Sequence, residues 1–209
     1  SMHSYLSRQH QPYHEASYTI FVAEVASTFN EQLLSKVLRD KYTSRRQQMY
    51  LINHQLEDIR STLFRQTMFA EFELRVHTLA EQYTPLTPEL LTEEYTQLNK
   101  KYFGADVVVD PEGMSEWSRI PHFYYNFYVY QYATGLSAAL ALYNKVMKEG
   151  APARDGYLSF LSGGSSKYPI DLLKGAGVDM TTPTPVLQAI DTFDSLLDDL
   201  EKLALSTEN

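Results

Sequence analysis

The ten residues from 20 to 29 carry a single charge, on Glu24, in a run that is otherwise suited to burial. A carboxylate in such surroundings is costly unless a cation or several hydrogen-bond donors meet it. On an α-helix, Glu24 would share a face with Thr28 and Glu31, while the opposite face would be apolar. That predicted core face consists of Val22, Ala26, Phe29, Leu33 and Val37. The stretch therefore predicts an amphipathic helix whose core is formed without Glu24.

Two interpretations of Glu24 remain open on this evidence. Charged side chains are mostly exposed unless they are paired, so Glu24 can be an ordinary helix-surface residue or the partner of an arginine. Alternatively, it can be a metal ligand or an active-site carboxylate that points away from the core. The pattern of the helix alone does not separate these two interpretations.

Composition narrows the class of protein and its partners. The chain has 209 residues, enough for one large domain or two small ones, with 44% hydrophobic and 21% charged residues, which is typical of globular proteins. A net charge of -8 argues against nucleic-acid and anionic-membrane partners. Cysteine is absent, and this excludes disulfides and thiolate metal sites. We expect a cytoplasmic protein without a signal peptide or a membrane-spanning run.

The periodicity along the chain predicts an all-α, multi-helix bundle that forms one unit over residues 1–209. The opening residues resemble the continuation of a helix, and Pro12 then interrupts the chain. Further helices are predicted at residues 17–41, 44–82, 88–103, 135–141, 155–161, 169–174 and 184–203. The predicted N-caps are Ser44, Thr87 and Thr184, the last two followed by proline. Residues 105–118 are predicted to form a loop or short strands, with residues 107–109 as the β-like run.

A second informative stretch is aromatic and spans residues 122–132. If it is helical, Tyr125, Tyr128 and Tyr132 fall on one face, with His122 next to that face. Tyrosines at this spacing can simply fill a core while their hydroxyls remain hydrated. They can also form a wall of hydrogen-bond donors for the oxyanion that develops when a carbonyl is attacked. Both interpretations stay open.

Two further patterns are weaker. His10 and His14 are four residues apart, a spacing that suits two metal ligands on one helix, but Pro12 lies between them. Position 11 is not a glutamate, so the H-E-x-x-H signature of metallopeptidases fails there, and no Glu-x-x-His pair of a di-iron bundle occurs. Gly163 and Gly164 could contact a ligand through the backbone, and a plain turn explains them equally well.

Five stretches, taken together and in order, resemble oligoendopeptidase F. They are SMHSY at residues 1–5, FVAEVAST at 21–28, RQTMFAE at 65–71, RIPHFYYNFYVYQYATG at 119–135, and GGS with YPI between 163 and 170. The resemblance covers essentially the whole chain. It implies the C-terminal half of a thimet-oligopeptidase-like catalytic domain, from zinc metallopeptidases that are mostly α-helical and cut short peptides inside a deep channel.

The resemblance also implies roles for individual residues. Glu24 would be the third zinc ligand, on the helix after the H-E-x-x-H helix, in a His₂Glu site with water in the open position. The zinc-bound water would attack the scissile carbonyl after the motif glutamate deprotonates it. His122 with one or more of Tyr125, Tyr128 and Tyr132 would hydrogen-bond the substrate or its tetrahedral oxyanion.

The chain departs from the family by lacking H-E-x-G-H, which would lie immediately before Ser1. One carboxylate does not hold zinc at useful affinity, since such sites need three or four protein ligands. We therefore expect a fragment that is inactive alone and whose natural partner is the missing N-terminal part of the enzyme. The alternative function is a non-catalytic helical module that binds or self-associates through an exposed groove. A third reading rebuilds a zinc site from His10, His14 and Glu24.

Overall fold

The computed structural model describes residues 2–104, 106–108 and 110–206, and in this part the chain is helical with no strand. The all-α prediction is therefore confirmed. The α-helices are α1 (Met2–His10), α2 (Ile20–Lys41), α3 (Arg45–Ile59), α4 (Arg65–Glu81), α5 (Pro88–Phe103), α6 (Tyr130–Glu149), α7 (Ala151–Leu161), α8 (Pro169–Gly175) and α9 (Thr184–Leu205). A π-helical turn covers Arg60–Phe64, and 3₁₀ helices cover Glu112–Arg119 and Pro121–Tyr124. Residue 109 of the predicted β-like run lies outside the described residues, as do residues 1, 105 and 207–209.

Backbone contacts divide the chain into two compact units, each with its own hydrophobic core. The first unit comprises Ser1–Ile59 and Thr134–Asn209, and the second comprises Arg60–Ala133. The prediction that residues 1–209 act as one helical portion of a catalytic domain stays a prediction.

Helix α2 supplies one side of the core of the first unit. Its buried residues include Val22, Ala26 and Phe29, as the sequence predicts, and Leu33 packs at the edge of the same core. The prediction is wrong for Val37, which is 59% exposed. The buried side of the helix continues through Gln32, so Val37 falls outside the stripe. Helix α2 also begins at Ile20 rather than at residue 17, because Thr19 is still extended at the N-cap.

Small residues on α6 allow other helices of the first unit to approach closely. The segment from Gly135 to Leu142 is buried throughout. A Cβ added at Gly135 would lie 3.9 Å from the carbonyl oxygen of Phe21, at the start of α2. Phe29 of α2 stacks on Tyr157 of α7 with ring centroids 3.9 Å apart. These contacts place α2, and Glu24 with it, on a well-packed core.

Helices α3 and α9 pack together in the first unit, and Arg45 joins the start of α3 to the end of α9. Arg45 donates to the carbonyl oxygens of Leu203 and Ala204 at 2.7 and 3.0 Å. These are carbonyls of the last turn of α9, which lack partners within the helix. The predicted cap Thr184 is wrong by one position, since Pro183 is the N-cap of α9 and no side chain caps the helix.

The second unit packs α4 against α5. Its core consists of Met68, Phe69, Phe72, Tyr95, Leu98, Met114 and Val129. Helix α5 begins as predicted: Thr87 accepts a hydrogen bond from Leu90 N at 3.3 Å, with Pro88 in the first turn. The predicted helix at 44–82 is interrupted by the π-helical turn, and Ser44, which precedes α3, donates to the Gln47 side chain.

Among the described residues, no helix is both long enough and apolar enough to cross a membrane.

Candidate functional site

Glu24 lies on the exposed side of α2, opposite the buried residues Val22, Val25 and Phe29. Its Oε2 accepts a hydrogen bond from Ser27 Oγ at 2.8 Å, and the same hydroxyl lies 2.9 Å from the backbone oxygen of Glu24. Within the described part of its unit, no basic side chain forms an ion pair with it. The carboxylate is therefore held at one oxygen by a neutral donor.

The residues that the structure describes do not form a complete zinc site by themselves. No group of three or more histidine, aspartate or glutamate side chains is close enough to hold a metal ion within residues 2–104, 106–108 and 110–206. A zinc site needs three or four protein ligands. Glu24 has the chemistry of one such ligand.

The rebuilt site of His10, His14 and Glu24 is not formed. Helix α1 ends at His10, whose Nδ1 lies 2.8 Å from the Leu6 carbonyl oxygen. His14 follows Pro12 in a turn, and its Nε2 lies 3.7 Å from Glu15 Oε1. The proline thus removes the helical register that two ligands four residues apart require.

The aromatic stretch is not one helix, so the prediction of a single helical face is wrong. His122 lies in a 3₁₀ helix, Tyr125 ends it, and α6 begins only at Tyr130. Phe127 has φ +55°, a left-handed conformation, and lies in the turn between them. Val129 is fully buried and anchors the end of this turn in the core of the second unit.

The turn nevertheless brings three of the four predicted side chains into direct contact. His122 Nε2 lies 3.1 Å from Tyr132 Oη, and Tyr132 donates its hydroxyl proton to Tyr128 Oη at 3.2 Å. The His122 and Tyr128 rings are nearly parallel with centroids 5.7 Å apart, and the Tyr132 ring stands perpendicular to both. Tyr125 is 65% exposed, and its ring centroid lies 6.2 Å from that of Tyr128 at the edge of the cluster.

The hydrogen bonds of this cluster run in one direction. A phenol has one proton, and Tyr132 gives its proton to Tyr128. His122 must therefore be the donor toward Tyr132, which requires the proton to be on Nε2. The proton of Tyr128 is then left to point away from Tyr132. The cluster ends in one phenolic donor, a group suited to a carbonyl oxygen that gains negative charge.

Gly163 and Gly164 have a structural explanation. Gly164 has φ +52°, and a Cβ there would lie 2.1 Å from the carbonyl oxygen of Glu15. Ser165 N donates to that same oxygen at 2.8 Å. The glycine turn packs directly on the loop after α1, so its backbone is occupied within the first unit.

Sequence reasoning missed Glu73. This α4 residue is buried, and its Oε1 accepts a hydrogen bond from the backbone N–H of Phe127 at 2.8 Å. The available signal was a carboxylate on the buried face of a helix, next to Phe72 and four residues after Phe69.

Fold and site together define an all-α protein that presents a directed chain of imidazole and phenol hydrogen bonds beside the start of a buried helix. The chain belongs to peptidase family M3, whose model matches residues 1–192. The resemblance stated from the sequence motifs is therefore confirmed.

Individual relatives agree with this family. The chain is 58% identical to the oligopeptidase PepF of Bacillus subtilis (100% of the chain, 31% of that protein), and 44% identical to the chromosomal oligoendopeptidase F of Lactococcus lactis subsp. cremoris (97% and 34%). The crystal structure of oligoendopeptidase-F from Enterococcus faecium superimposes with a TM-score of 0.87 at 46% identity, over 98% of the chain and 37% of that structure. The chain thus spans about a third of the length of its relatives.

Proposed function

We propose that this chain is part of a zinc metallo-endopeptidase that cleaves short peptides, with Glu24 as one metal ligand. Membership of peptidase family M3 supports hydrolysis of peptides. An exposed carboxylate without an ionic partner in its unit supports the ligand role of Glu24. The remaining ligands would come from another part of the enzyme, and that part is the first partner that we propose. A cytoplasmic location fits the absence of cysteine.

The observation that carries this proposal is the directed hydrogen-bond chain from His122 through Tyr132 to Tyr128. In this proposal, Tyr128 donates to the carbonyl oxygen of the scissile peptide bond. The donation strengthens as water attacks the carbonyl carbon and the oxygen becomes an oxyanion. His122 and Tyr132 orient the Tyr128 hydroxyl and polarise it through their hydrogen bonds. We also propose that Tyr125, whose side chain is exposed, contacts the peptide at a neighbouring position.

A hybrid enzyme tests the proposal. It joins this chain to the two thirds of the Bacillus subtilis oligopeptidase PepF that the chain does not match. We expect this hybrid enzyme to bind zinc and to cleave a quenched fluorescent peptide. Glu24→Gln should lose both zinc and cleavage, whereas Glu31→Gln, an exposed acid further along α2, should keep both. Full zinc content and full activity in Glu24→Gln would contradict the ligand role.

His122→Ala in the same hybrid enzyme separates substrate contact from metal binding. We expect it to retain zinc and the overall fold while kcat falls, because the donor chain loses its first member. Unchanged kcat in His122→Ala would remove the cluster from the proposed mechanism.

The second candidate function is a binding or assembly module, and exposed apolar side chains favour it. Leu34 and Val37 on α2 and Leu187 and Leu197 on α9 are all exposed. Clusters of such side chains tend to associate. Light scattering at several concentrations tests this: growing mass supports self-association, and a monomer at high concentration contradicts it.

A further inference from the structure

The second unit buries one carboxylate that the proposed mechanism does not use. Glu73 is 5% exposed and lies on the core face of α4, beside Phe72. Carboxylates are rarely this deeply buried unless hydrogen bonds stabilise them. Its contact therefore identifies what the carboxylate does in the fold.

The contact is with the backbone of the aromatic turn. Glu73 Oε1 accepts from Phe127 N at 2.8 Å, over a separation of 54 residues. Phe127 has φ +55°, which a bulky side chain adopts only when its surroundings enforce it. His77, one helical turn beyond Glu73, packs its ring 4.6 Å from the Phe127 ring. Two successive turns of α4 thus hold the backbone and the side chain of Phe127.

Phe127 in turn sets the direction of the residue that follows it. Tyr128 lies between the left-handed Phe127 and the buried Val129, so its backbone is fixed on both sides. In this orientation its hydroxyl accepts from Tyr132 and its ring stacks on His122. A change of φ at Phe127 would rotate Tyr128 away from both partners.

We propose that Glu73 is a positioning residue: its carboxylate holds Phe127 in the left-handed conformation that aims the Tyr128 hydroxyl. The link from Glu73 to Tyr128 is a property of the fold, and its consequence for catalysis rests on the proposed function of the His122–Tyr132–Tyr128 cluster. Glu73 touches no reacting atom in this proposal and acts only through the turn.

The first test uses nuclear magnetic resonance of the whole 209-residue chain. In Glu73→Leu, we expect hydrogen exchange at the Phe127 amide to accelerate by about tenfold, since one hydrogen bond is lost. The ring signals of Tyr128 and His122 should shift at the same time. Glu73→Gln keeps an acceptor oxygen and should stay close to the parent chain. Glu81→Leu, an exposed acid at the end of α4, is the matched control.

A second pair of variants covers the case in which Glu73→Leu does not fold. Glu73→Asp keeps the charge but withdraws the oxygen by one methylene, so the same signals should shift. Adding Phe127→Gly should restore the Tyr128 and His122 signals, because glycine adopts positive φ without strain. Unshifted Tyr128 and His122 signals in both Glu73→Leu and Glu73→Asp would overturn the proposal.

Kinetics of the hybrid enzyme connect the positioning to catalysis. We expect Glu73→Leu to lower kcat by about 10- to 100-fold with little change in KM, because misplacing a catalytic group by about 1 Å has effects of this size. In a Tyr128→Phe background, Glu73→Leu should have no further effect on kcat. An equal loss in both backgrounds would show that Glu73 does not act through Tyr128. If Tyr128→Phe itself leaves kcat unchanged, the proposed function fails, while the resonance test still decides the positioning.

Discussion

At the scale of single residues, His3 has the environment with the clearest physical consequence. Its ring lies flat on Tyr18, with centroids 3.6 Å apart, and 5.6 Å from the Phe160 ring. It is 2% exposed, and within the described residues its Nδ1 has no hydrogen-bond partner. This burial lowers the pKa of His3 to about 4. The folded chain therefore holds His3 neutral at a pH where an exposed histidine takes up a proton.

The stability of the chain should depend on pH through His3. Below about pH 6.5 His3 takes up a proton in the unfolded chain but not in the folded chain. The contribution of neutral His3 to the free energy of unfolding is therefore fully present above pH 6.5 and is lost as the pH falls toward 4. The loss should reach up to about 3 kcal/mol. Urea unfolding at pH 7 and pH 5 measures the part of this loss that falls between the two pH values. His3→Phe should reduce the difference between the two pH values, and exposed His14→Phe should not; an unchanged difference in His3→Phe would refute the assignment.

Gly164 should be intolerant of any side chain. Alanine there combines a left-handed backbone with a Cβ 2.1 Å from the Glu15 carbonyl oxygen. We expect a loss of about 2–4 kcal/mol in the free energy of unfolding. Gly175→Ala is the matched control, because no atom lies within 4 Å of its added Cβ. Denaturant unfolding of the two variants gives the comparison, and equal stabilities would contradict the packing of the glycine turn.

Two glutamates show how far the sequence could be interpreted at this scale. Glu24 attracts attention as the one charge in an apolar run, and it lies on the exposed face of its helix. Glu73 does not stand out from its sequence neighbours in this way, but it lies on the same buried face of α4 as Phe69 and Phe72. The helical spacing of these residues was enough to predict that Glu73 is buried. The partner of Glu73, the Phe127 amide, was not, because no local pattern encodes a contact 54 residues away.

At the scale of secondary-structure elements, two threonine–proline pairs look alike in sequence and differ in structure. Thr87 accepts the Leu90 amide and caps α5, whereas Thr184 lies inside α9 and makes no capping bond. Thr87→Ala should therefore destabilise the chain by about 1 kcal/mol, and Thr184→Ala should be close to neutral. Thermal unfolding followed by circular dichroism compares them. A larger loss from Thr184→Ala would reverse the assignment.

The aromatic stretch shows why the position of an element was harder to predict than its composition. Helical spacing predicted a shared face for Tyr125, Tyr128 and Tyr132, but the helix begins only at Tyr130. His122, Tyr128 and Tyr132 meet all the same, because the Phe127 turn brings them together. The residues of the cluster could be predicted from their side-chain types and from their closeness in the sequence. The turn was not, since a left-handed phenylalanine depends on its acceptor on α4.

At the scale of the whole molecule, the sequence motifs identified the family and the helical fold, and they did not define a complete set of metal ligands. The family model matches residues 1–192, and the Enterococcus faecium structure superimposes over 98% of the chain. Within the described residues, no three potential ligands converge. If the remaining ligands come from another part of the enzyme, as proposed above, they cannot be deduced from the residues of this chain.

The isolated chain should therefore bind zinc weakly and cleave no peptide. Elemental analysis after dialysis against zinc buffer should find less than one zinc ion per chain, since one carboxylate is too few ligands. A peptide assay with and without a chelator completes the test. Stoichiometric zinc with chelator-sensitive cleavage by the chain alone would mean that it contains a whole site.

The kcat of Tyr128→Phe in the hybrid enzyme measures whether the Tyr128 hydroxyl takes part in peptide cleavage. If the directed chain from His122 through Tyr132 ends in the donor that stabilises the oxyanion, kcat should fall by about 10²-fold or more while zinc content and KM stay close to the parent values. Tyr83→Phe, which alters an exposed phenol of the same unit, should keep the parent kcat. A kcat in Tyr128→Phe equal to that of Tyr83→Phe would show that Tyr128 does not stabilise the oxyanion.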